Sequence, residues 1–168
     1  MEKYFDKLGV ANEQQIEYGK LFGLNIDEIP KDVARAMIDE VIGVKFCDEK
    51  KKAATISQIN LGEKFGLDFT KYSCSVARKY IKNLMFALNL KSIEEQGIKP
   101  GDYVINKYDK NKITYKVSSI NTIGYVFFKK RSDSSTRNHA GASARHLLKI
   151  NKELMHNIFE RYAELVEL

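Results

Sequence analysis

The three histidines are the first residues to weigh for catalysis or metal binding, because imidazole titrates near neutral pH and is a common metal ligand. His139, His146 and His156 lie within 18 residues, but the first two are in or beside a basic loop and the third is on the expected final helix. Cys47 and Cys74 are far from other candidate ligands and lack the spacing of a disulfide scaffold. The sequence therefore predicts no metal site and two reduced thiols.

Motifs for other chemistry are also missing from the sequence. There is no Gly-rich phosphate loop, no nucleophile elbow and no paired-carboxylate motif. We therefore expect a protein that is not an enzyme, requires no cofactor and acts by binding.

The residues most suited to binding a partner are concentrated in residues 99–150. This segment carries eleven Lys and Arg against three Asp and Glu, a net charge of +8 in a chain whose total is +6. Such a surface attracts phosphates or an acidic protein. Its tyrosines and lysines alternate and could stack bases and pair phosphates: Tyr103, Lys107, Tyr108, Lys110, Lys112, Tyr115, Lys116 and Tyr125. The competing interpretation is that half of these aromatic residues belong to the core.

A long polar and basic loop is predicted from Lys129 to Arg145. Loops of this length in compact domains are usually functional or mobile, and both readings stay open here. Its cations suit phosphates on nucleic acid or carboxylates on a protein partner: Lys129, Lys130, Arg131, Arg137 and Arg145.

The elements that would position these residues include an internal repeat. Residues 11–42 align without a gap on residues 54–85, at an offset of 43 and with 11 of 32 positions identical. The repeat predicts a chain assembled from small modules.

Each repeat predicts a helix, an extended link and a second helix. Gly23 and Gly66 suit the left-handed position that closes the first helix. Pro30 is expected at the first position of the second helix in repeat one, and Ser73 at the cap in repeat two. That last helix is expected to run through Leu88, before a short segment that ends at Gly97.

The two repeats differ in charge. Repeat one has three basic against seven acidic residues, whereas repeat two has five against two. Arg78, Lys79 and Lys82 lie on the second helix of repeat two, where repeat one has Arg35, Ala36 and Asp39. These cations either contact a partner or belong to a solvated helix face.

The recurring Gln-Ile, Gly-Leu and helical Ala of the repeat resemble short modules of phage and mobile-element proteins. The repeat is similar to SAP-like, helix-extended-helix DNA-binding domains. That resemblance implies that Arg78, Lys79 and Lys82 contact the phosphate backbone, and it leaves repeat one without the matching cations.

Short β-branched and aromatic runs follow, at 103–105, 113–117, 125–128 and 146–150, and they predict antiparallel hairpins. The opening Gly101-Asp102-Tyr103-Val104 resembles the first strand of SH3-like barrels. A C-terminal amphipathic helix, 151–168, is expected to end the chain and could pair two copies as a homodimer. The predicted organisation is α+β: an acidic helical repeat one (1–47), a basic helical repeat two (54–90), a small basic barrel (97–150) and that helix.

The chain has no apolar run of 18 residues and no leader-like start, so we expect a cytoplasmic protein without a membrane partner. Its expected function is non-enzymatic binding of nucleic acid or of a nucleoprotein complex. An alternative rests on resemblance: the chain is similar to staphylococcal type II anti-CRISPR proteins. That likeness implies that it binds the complex of Cas9 with guide RNA and blocks DNA entry or HNH-domain movement.

Overall fold

A computed structural model describes residues 2–111, 113–129 and 141–150. The helices in these residues are α1 (Glu2–Leu8), α2 (Glu13–Leu21), α3 (Lys31–Phe46), α4 (Ile56–Glu63) and α5 (Cys74–Gln96). The strands are β1 (Tyr103–Asn106), β2 (Thr114–Ile120), β3 (Tyr125–Phe128), β4 (Gly141–Ser143) and β5 (Leu147–Ile150), with a 3-10 turn at Ala144–His146. The predicted α+β class is confirmed. The chain divides into two compact units, 1–87 and 88–168.

The two repeats in the first unit share their hydrogen bonds position by position. Helices α2 and α4 begin at capping boxes, where Asn12 Oδ1 accepts from Gln15 N (2.9 Å) and Thr55 Oγ1 accepts from Gln58 N (3.3 Å). The amide Nε2 of each Gln then donates to the carbonyl of the first residue of α3 or α5, at 3.2 and 3.0 Å. These bonds fix the start of each second helix against the start of the first.

The first helix of each repeat ends as predicted, at a glycine in the left-handed region. Gly23 and Gly66 have φ of 72° and 73°, which residues with a side chain rarely adopt. The N–H of the next residue donates to the carbonyl of Gly19 (2.9 Å) or Gly62 (3.0 Å), which satisfies a carbonyl at the helix end. Ser73 caps α5, as expected, whereas Pro30 lies one position earlier than expected, at the N-cap of α3.

The repeats share part of their core. Val33 of repeat one is fully buried in the same cluster as Phe69, Val76, Ala77 and Tyr80 of repeat two. Burying one such large side chain stabilises the fold by about 1.5–3 kcal/mol, so each repeat stabilises the other. Helix α1 was not predicted from the sequence.

Helix α5 is longer than the sequence predicts. It was expected to end near Leu88, but it continues for about two more turns to Gln96. Its end is closed by Ile98 N, which donates to Ile93 O (3.1 Å). Ile93 also packs against the core of the second unit. Tertiary contacts thus extend the helix through a segment whose local sequence suggests a break.

The second unit contains an antiparallel sheet in the order β4-β3-β2-β1-β5. The strand register shifts between Val117 and Ser119, which marks a bulge in β2. The inner face buries Val104, Val117, Val126, Phe128, Ala144 and Leu147, together with Ile98.

The predicted strands are present, with ends that differ by a few residues. The assignment of residues 141–145 to the basic loop is wrong, because they form β4 and most of the 3-10 turn. The Gly-Ala-Ser run of β4 lacks the β-branched pattern of a strand, and its pairing with β3 holds it extended. The predicted barrel is not seen closed, because β4 and β5 are the edges of the sheet in the described residues.

Two predictions fall on residues beyond this description. The C-terminal helix (151–168), with its expected dimer interface, lies outside the described residues, as does the part of the basic loop from 130 to 140. No helix in the described part of the chain combines the length and the apolar character needed to cross a membrane.

Candidate nucleic-acid interface

The first group of predicted site residues lies on the exposed face of α5 in the first unit. Arg78, Lys79 and Lys82 are all exposed, and Arg78 and Lys82 are one helical turn apart. The ammonium of Lys82 lies 5.5 Å from the centre of the Phe86 ring, a cation–π contact that orients it. We call these three cations the α5 basic face.

In repeat one the equivalent arginine is paired with a carboxylate. Arg35 Nε lies 3.7 Å from Asp39 Oδ2 on α3, an exposed ion pair. In repeat two the position of Asp39 is taken by Lys82, and the guanidinium of Arg78 has a 4.0 Å contact from Nη2 to Cys74 Sγ. The same fold position is therefore neutralised in one repeat and cationic in the other.

A groove of about 540 Å³ adjoins this face, between the two repeats. The linker between the repeats, residues 48–52, contributes three lysines, and repeat one and the linker contribute carboxylates. The lining includes Asp39, Glu40, Glu49, Lys50, Lys51, Lys52, Arg78 and Lys79. Lys51 Nζ is 2.9 Å from Glu40 Oε1. These lysines were not among the predicted site residues, although their run of three and the adjacent basic helix were a usable signal.

A second group of predicted residues meets in the second unit. The N–H of Lys107 donates to His146 O (2.8 Å), and Lys107 Nζ donates to Arg145 O (3.1 Å). The ring of Tyr108 meets the His146 imidazole edge to face, with centroids 5.2 Å apart and planes at 82°. We call Lys107, Tyr108, Arg145 and His146 the Tyr108 patch.

The turn between β1 and β2 is shaped by its own side chains. Asn106 Oδ1 accepts from Tyr108 N (3.0 Å), and Asp109 Oδ1 accepts from Asn111 N (2.9 Å), both of them short-range turns of the Asx type. Asp109 Oδ2 also accepts from the hydroxyl of Tyr115 (3.4 Å). Lys110 is exposed in the same turn.

Arg145 is held in place by the second half of α5. Its Nη1 donates to Asn89 Oδ1 at 2.9 Å, and the Asn89 Nδ2 donates to Ile123 O at 3.1 Å. Asn89 is fully buried. Burial lowers the pKa of Arg145 below its ordinary value, yet arginine stays charged in proteins. Arg145 thus presents a cation whose position is fixed.

The same helix face carries further bonds to the end of the sheet. Ser92 Oγ donates to Ala144 O (3.1 Å), Gln96 Nε2 donates to Leu147 O (3.1 Å), and Lys149 N donates to Gln96 Oε1 (2.9 Å). Sequence reasoning missed these residues. Their signal was a polar spacing of three and four residues along a helix that was expected to have ended.

His146 is surrounded by positive charge. Burial, Arg145 and Lys107 all lower its pKa below the ordinary value of 6.5. The imidazole is therefore neutral at physiological pH and gains a proton only under acidic conditions or beside an anion.

The tyrosines divide between core and surface. Tyr115 stacks on Phe128 with centroids 4.5 Å apart, Tyr125 packs edge to face on Phe127, and the Lys116 ammonium lies 5.4 Å from the ring centre of Tyr103. Tyr108 is 75% exposed.

The remaining predicted residues have separate locations. Lys129 is exposed just after β3, where its N–H donates to Lys116 O (2.8 Å). Lys112, Lys130, Arg131 and Arg137 lie outside the described residues, as do His139 and His156. Within the described residues, no cluster of His, Cys, Asp and Glu could hold a metal ion.

The arrangement offers positive charge, one exposed aromatic ring and neutral hydrogen-bonding groups, and these can bind an anionic polymer. A scan of protein-family models, a search of curated proteins and a search of solved structures each found no match to the chain.

Proposed function

We propose that this chain is a non-enzymatic protein that binds the phosphate backbone of nucleic acid, free or within a nucleoprotein complex, through the α5 basic face. One observation carries the proposal. Repeat one pairs Arg35 with Asp39, whereas repeat two replaces that carboxylate by Lys82 and leaves three cations exposed on one helix. A solvated helix face does not require this change between two copies of one module.

The distribution of charge supports the proposal. Repeat two carries a net charge of +3 against −4 for repeat one, and residues 99–150 add +8. Lysine and arginine contacts to phosphates supply affinity without reading sequence. The resemblance to SAP-like modules points to the same helix.

The binding test uses a short labelled duplex and anisotropy, with two triple variants. One carries Arg78→Ala, Lys79→Ala and Lys82→Ala; the matched control removes the three cations of repeat one, Lys20→Ala, Lys31→Ala and Arg35→Ala. The proposal expects the first variant to lose most of its affinity and the second to keep it. Equal losses would mean that only net charge matters, and an unbound wild-type chain would reject the function.

We also propose that the second unit is an SH3-like barrel, which would serve as a binding platform. The strand order, the bulge in β2 and the 3-10 turn before β5 support it. An experimental structure of the full chain tests this. The barrel is supported if the two halves of the sheet pack face to face at a large angle and enclose Val104 and Val126. A flat, open sheet would reject it.

A second candidate function is inhibition of Cas9 by a phage or mobile-element protein of the anti-CRISPR type. The charge of repeat one favours this function. Repeat one carries seven carboxylates, whereas repeat two has a net positive charge. An acidic module suits a basic protein surface, such as the nucleic-acid channel of the nuclease. A cleavage assay distinguishes the two functions. An inhibitor blocks cleavage and binds free duplex weakly, whereas a nucleic-acid binder shifts free duplex and leaves cleavage intact when DNA is in excess.

A further inference from the structure

We infer that the Tyr108 patch is a site for single-stranded nucleic acid, in which one unstacked base lies on the ring of Tyr108 and the flanking phosphates contact Lys107 and Arg145. This inference rests on the proposed function and names a second site with its own ligand class.

The exposure of Tyr108 is the first observation. Its ring is 75% exposed, while Tyr115 and Tyr125 pack on neighbouring aromatic rings. The bond from Tyr108 N to Asn106 Oδ1 fixes the backbone of the turn. The His146 imidazole, with its centroid 5.2 Å from that of the Tyr108 ring, orients the ring. An oriented, exposed aromatic ring is a platform for a flat ligand.

The charge around the ring is the second observation. Lys107 and Arg145 are joined by the bond from Lys107 Nζ to Arg145 O, and Asn89 fixes the guanidinium of Arg145. The nearest carboxylate in the turn, Asp109, is already engaged by Asn111 N and the Tyr115 hydroxyl. The patch is therefore cationic beside a flat ring, which matches a base joined to phosphates.

The exposed ring of Tyr108 indicates a single strand rather than a duplex as the ligand. Bases in a duplex are stacked on each other, so their faces cannot reach an aromatic side chain. Single strands expose these faces, and stacking of a base on an aromatic side chain tolerates any sequence. An acidic peptide would satisfy the cations but would leave the face of Tyr108 uncovered.

The test exploits the absence of tryptophan from the chain. In Tyr108→Trp the new indole is the only one, and in the control Phe46→Trp it replaces an aromatic residue that is 72% exposed in the first unit. Both full-length proteins are titrated with oligothymidylate, with thymidine monophosphate and with polyglutamate. We expect oligothymidylate to quench Tyr108→Trp strongly and Phe46→Trp weakly, with little effect of the other two.

Affinity provides the second measurement. Tyr108→Ala is expected to weaken binding of oligothymidylate by about tenfold or more, while Tyr108→Phe stays within about twofold of wild type. Binding of the duplex by Tyr108→Ala is expected to be unchanged. Far-ultraviolet circular dichroism checks that the variants are folded.

The outcomes separate this site from the proposed function. If wild type binds duplex and oligothymidylate but Tyr108→Ala binds both equally well, the stacking site is wrong and the function stands. If polyglutamate quenches Tyr108→Trp as strongly as oligothymidylate, the patch is for an acidic protein and the inference fails. Binding of the monophosphate as tight as that of the strand would make it a nucleotide site instead.

Discussion

The guanidinium of Arg145, at the end of the sheet, donates from Nη1 to the buried Oδ1 of Asn89 on α5, at 2.9 Å. Asn89 also donates to Ile123 O, so one buried amide joins the helix to two separate turns of the second unit. This amide fixes the one cation of the Tyr108 patch that is half-buried.

Replacing Asn89 by Ala is expected to lower the free energy of unfolding by about 1–3 kcal/mol, because Ile123 O and the Arg145 guanidinium both lose a buried partner. Urea denaturation measures the change. The control is Lys91→Ala, which removes an exposed ion pair with Glu95 on the same helix and is expected to cost less than about 1 kcal/mol. A similar cost for both variants would contradict the role given to Asn89.

The two equivalent helix glycines are expected to tolerate alanine differently. A Cβ at Gly62 would lie 2.6 Å from the backbone carbonyl of Leu67 and 2.8 Å from the Phe69 ring, whereas at Gly19 it would meet the flexible end of Ile26 at 2.7 Å. Gly62→Ala is expected to destabilise by about 1–3 kcal/mol. Gly19→Ala should cost less, since Ile26 can move and alanine favours the helix. Thermal unfolding of the two variants compares them, and the reverse order would count against this packing.

Acid is expected to remove a contribution that Asp102 makes to stability. Burial raises its pKa, but the Lys149 ammonium (Nζ to Oδ2, 2.9 Å) and the Lys99 N–H outweigh this and lower the pKa below 3.8. A carboxyl with a lowered folded pKa stabilises the fold above its unfolded pKa of about 3.9, and the contribution is lost as the pH falls through the folded value.

Asp102→Asn tests this by urea denaturation at several pH values. Near neutral pH the variant is expected to be about 1–3 kcal/mol less stable than wild type, and the difference should shrink below about pH 4. A difference that is independent of pH would show that the charge of Asp102 contributes nothing.

Binding of oligothymidylate is expected to take up a proton at His146. Burial and the cations Arg145 and Lys107 lower the pKa of His146 in the free protein. The ring of Tyr108 packs against the imidazole. Phosphates beside these cations would favour the imidazolium, so affinity should rise as the pH falls toward the lowered pKa of the free protein. The pKa of His146, followed by NMR, should rise on binding. An unchanged pKa together with tight binding would place the strand elsewhere.

The repeat shows what the sequence could predict. The offset of 43 identified Arg35 and Arg78 as equivalent positions. The helix ends at Gly23 and Gly66 were predictable because they depend on local backbone geometry. The extension of α5 was not predictable in this way. Asn89 resembles a helix end locally, and only its contacts with Ile123 and Arg145, far along the chain, explain why the helix continues.

The candidate site was predictable in its residue types and not in its grouping. Four tyrosines alternate with lysines, and strand pairing determines that Tyr115 and Tyr125 are packed while Tyr108, in the turn, is exposed. The pairing of Arg145 with Asn89 joins positions 56 residues apart, a separation over which local patterns carry no information.

The salt dependence of duplex binding tests the central claim, which is that the α5 basic face holds phosphates. The dissociation constant is measured by anisotropy over a series of salt concentrations, for wild type and for the two triple variants. Each lost phosphate contact should reduce the steepness of log affinity against log salt by about 0.9. We expect the slope to be shallower by about 2 to 3 for the triple variant Arg78→Ala, Lys79→Ala, Lys82→Ala and unchanged for the control in repeat one. Equal slopes for all three proteins would show that the α5 basic face does not hold phosphates.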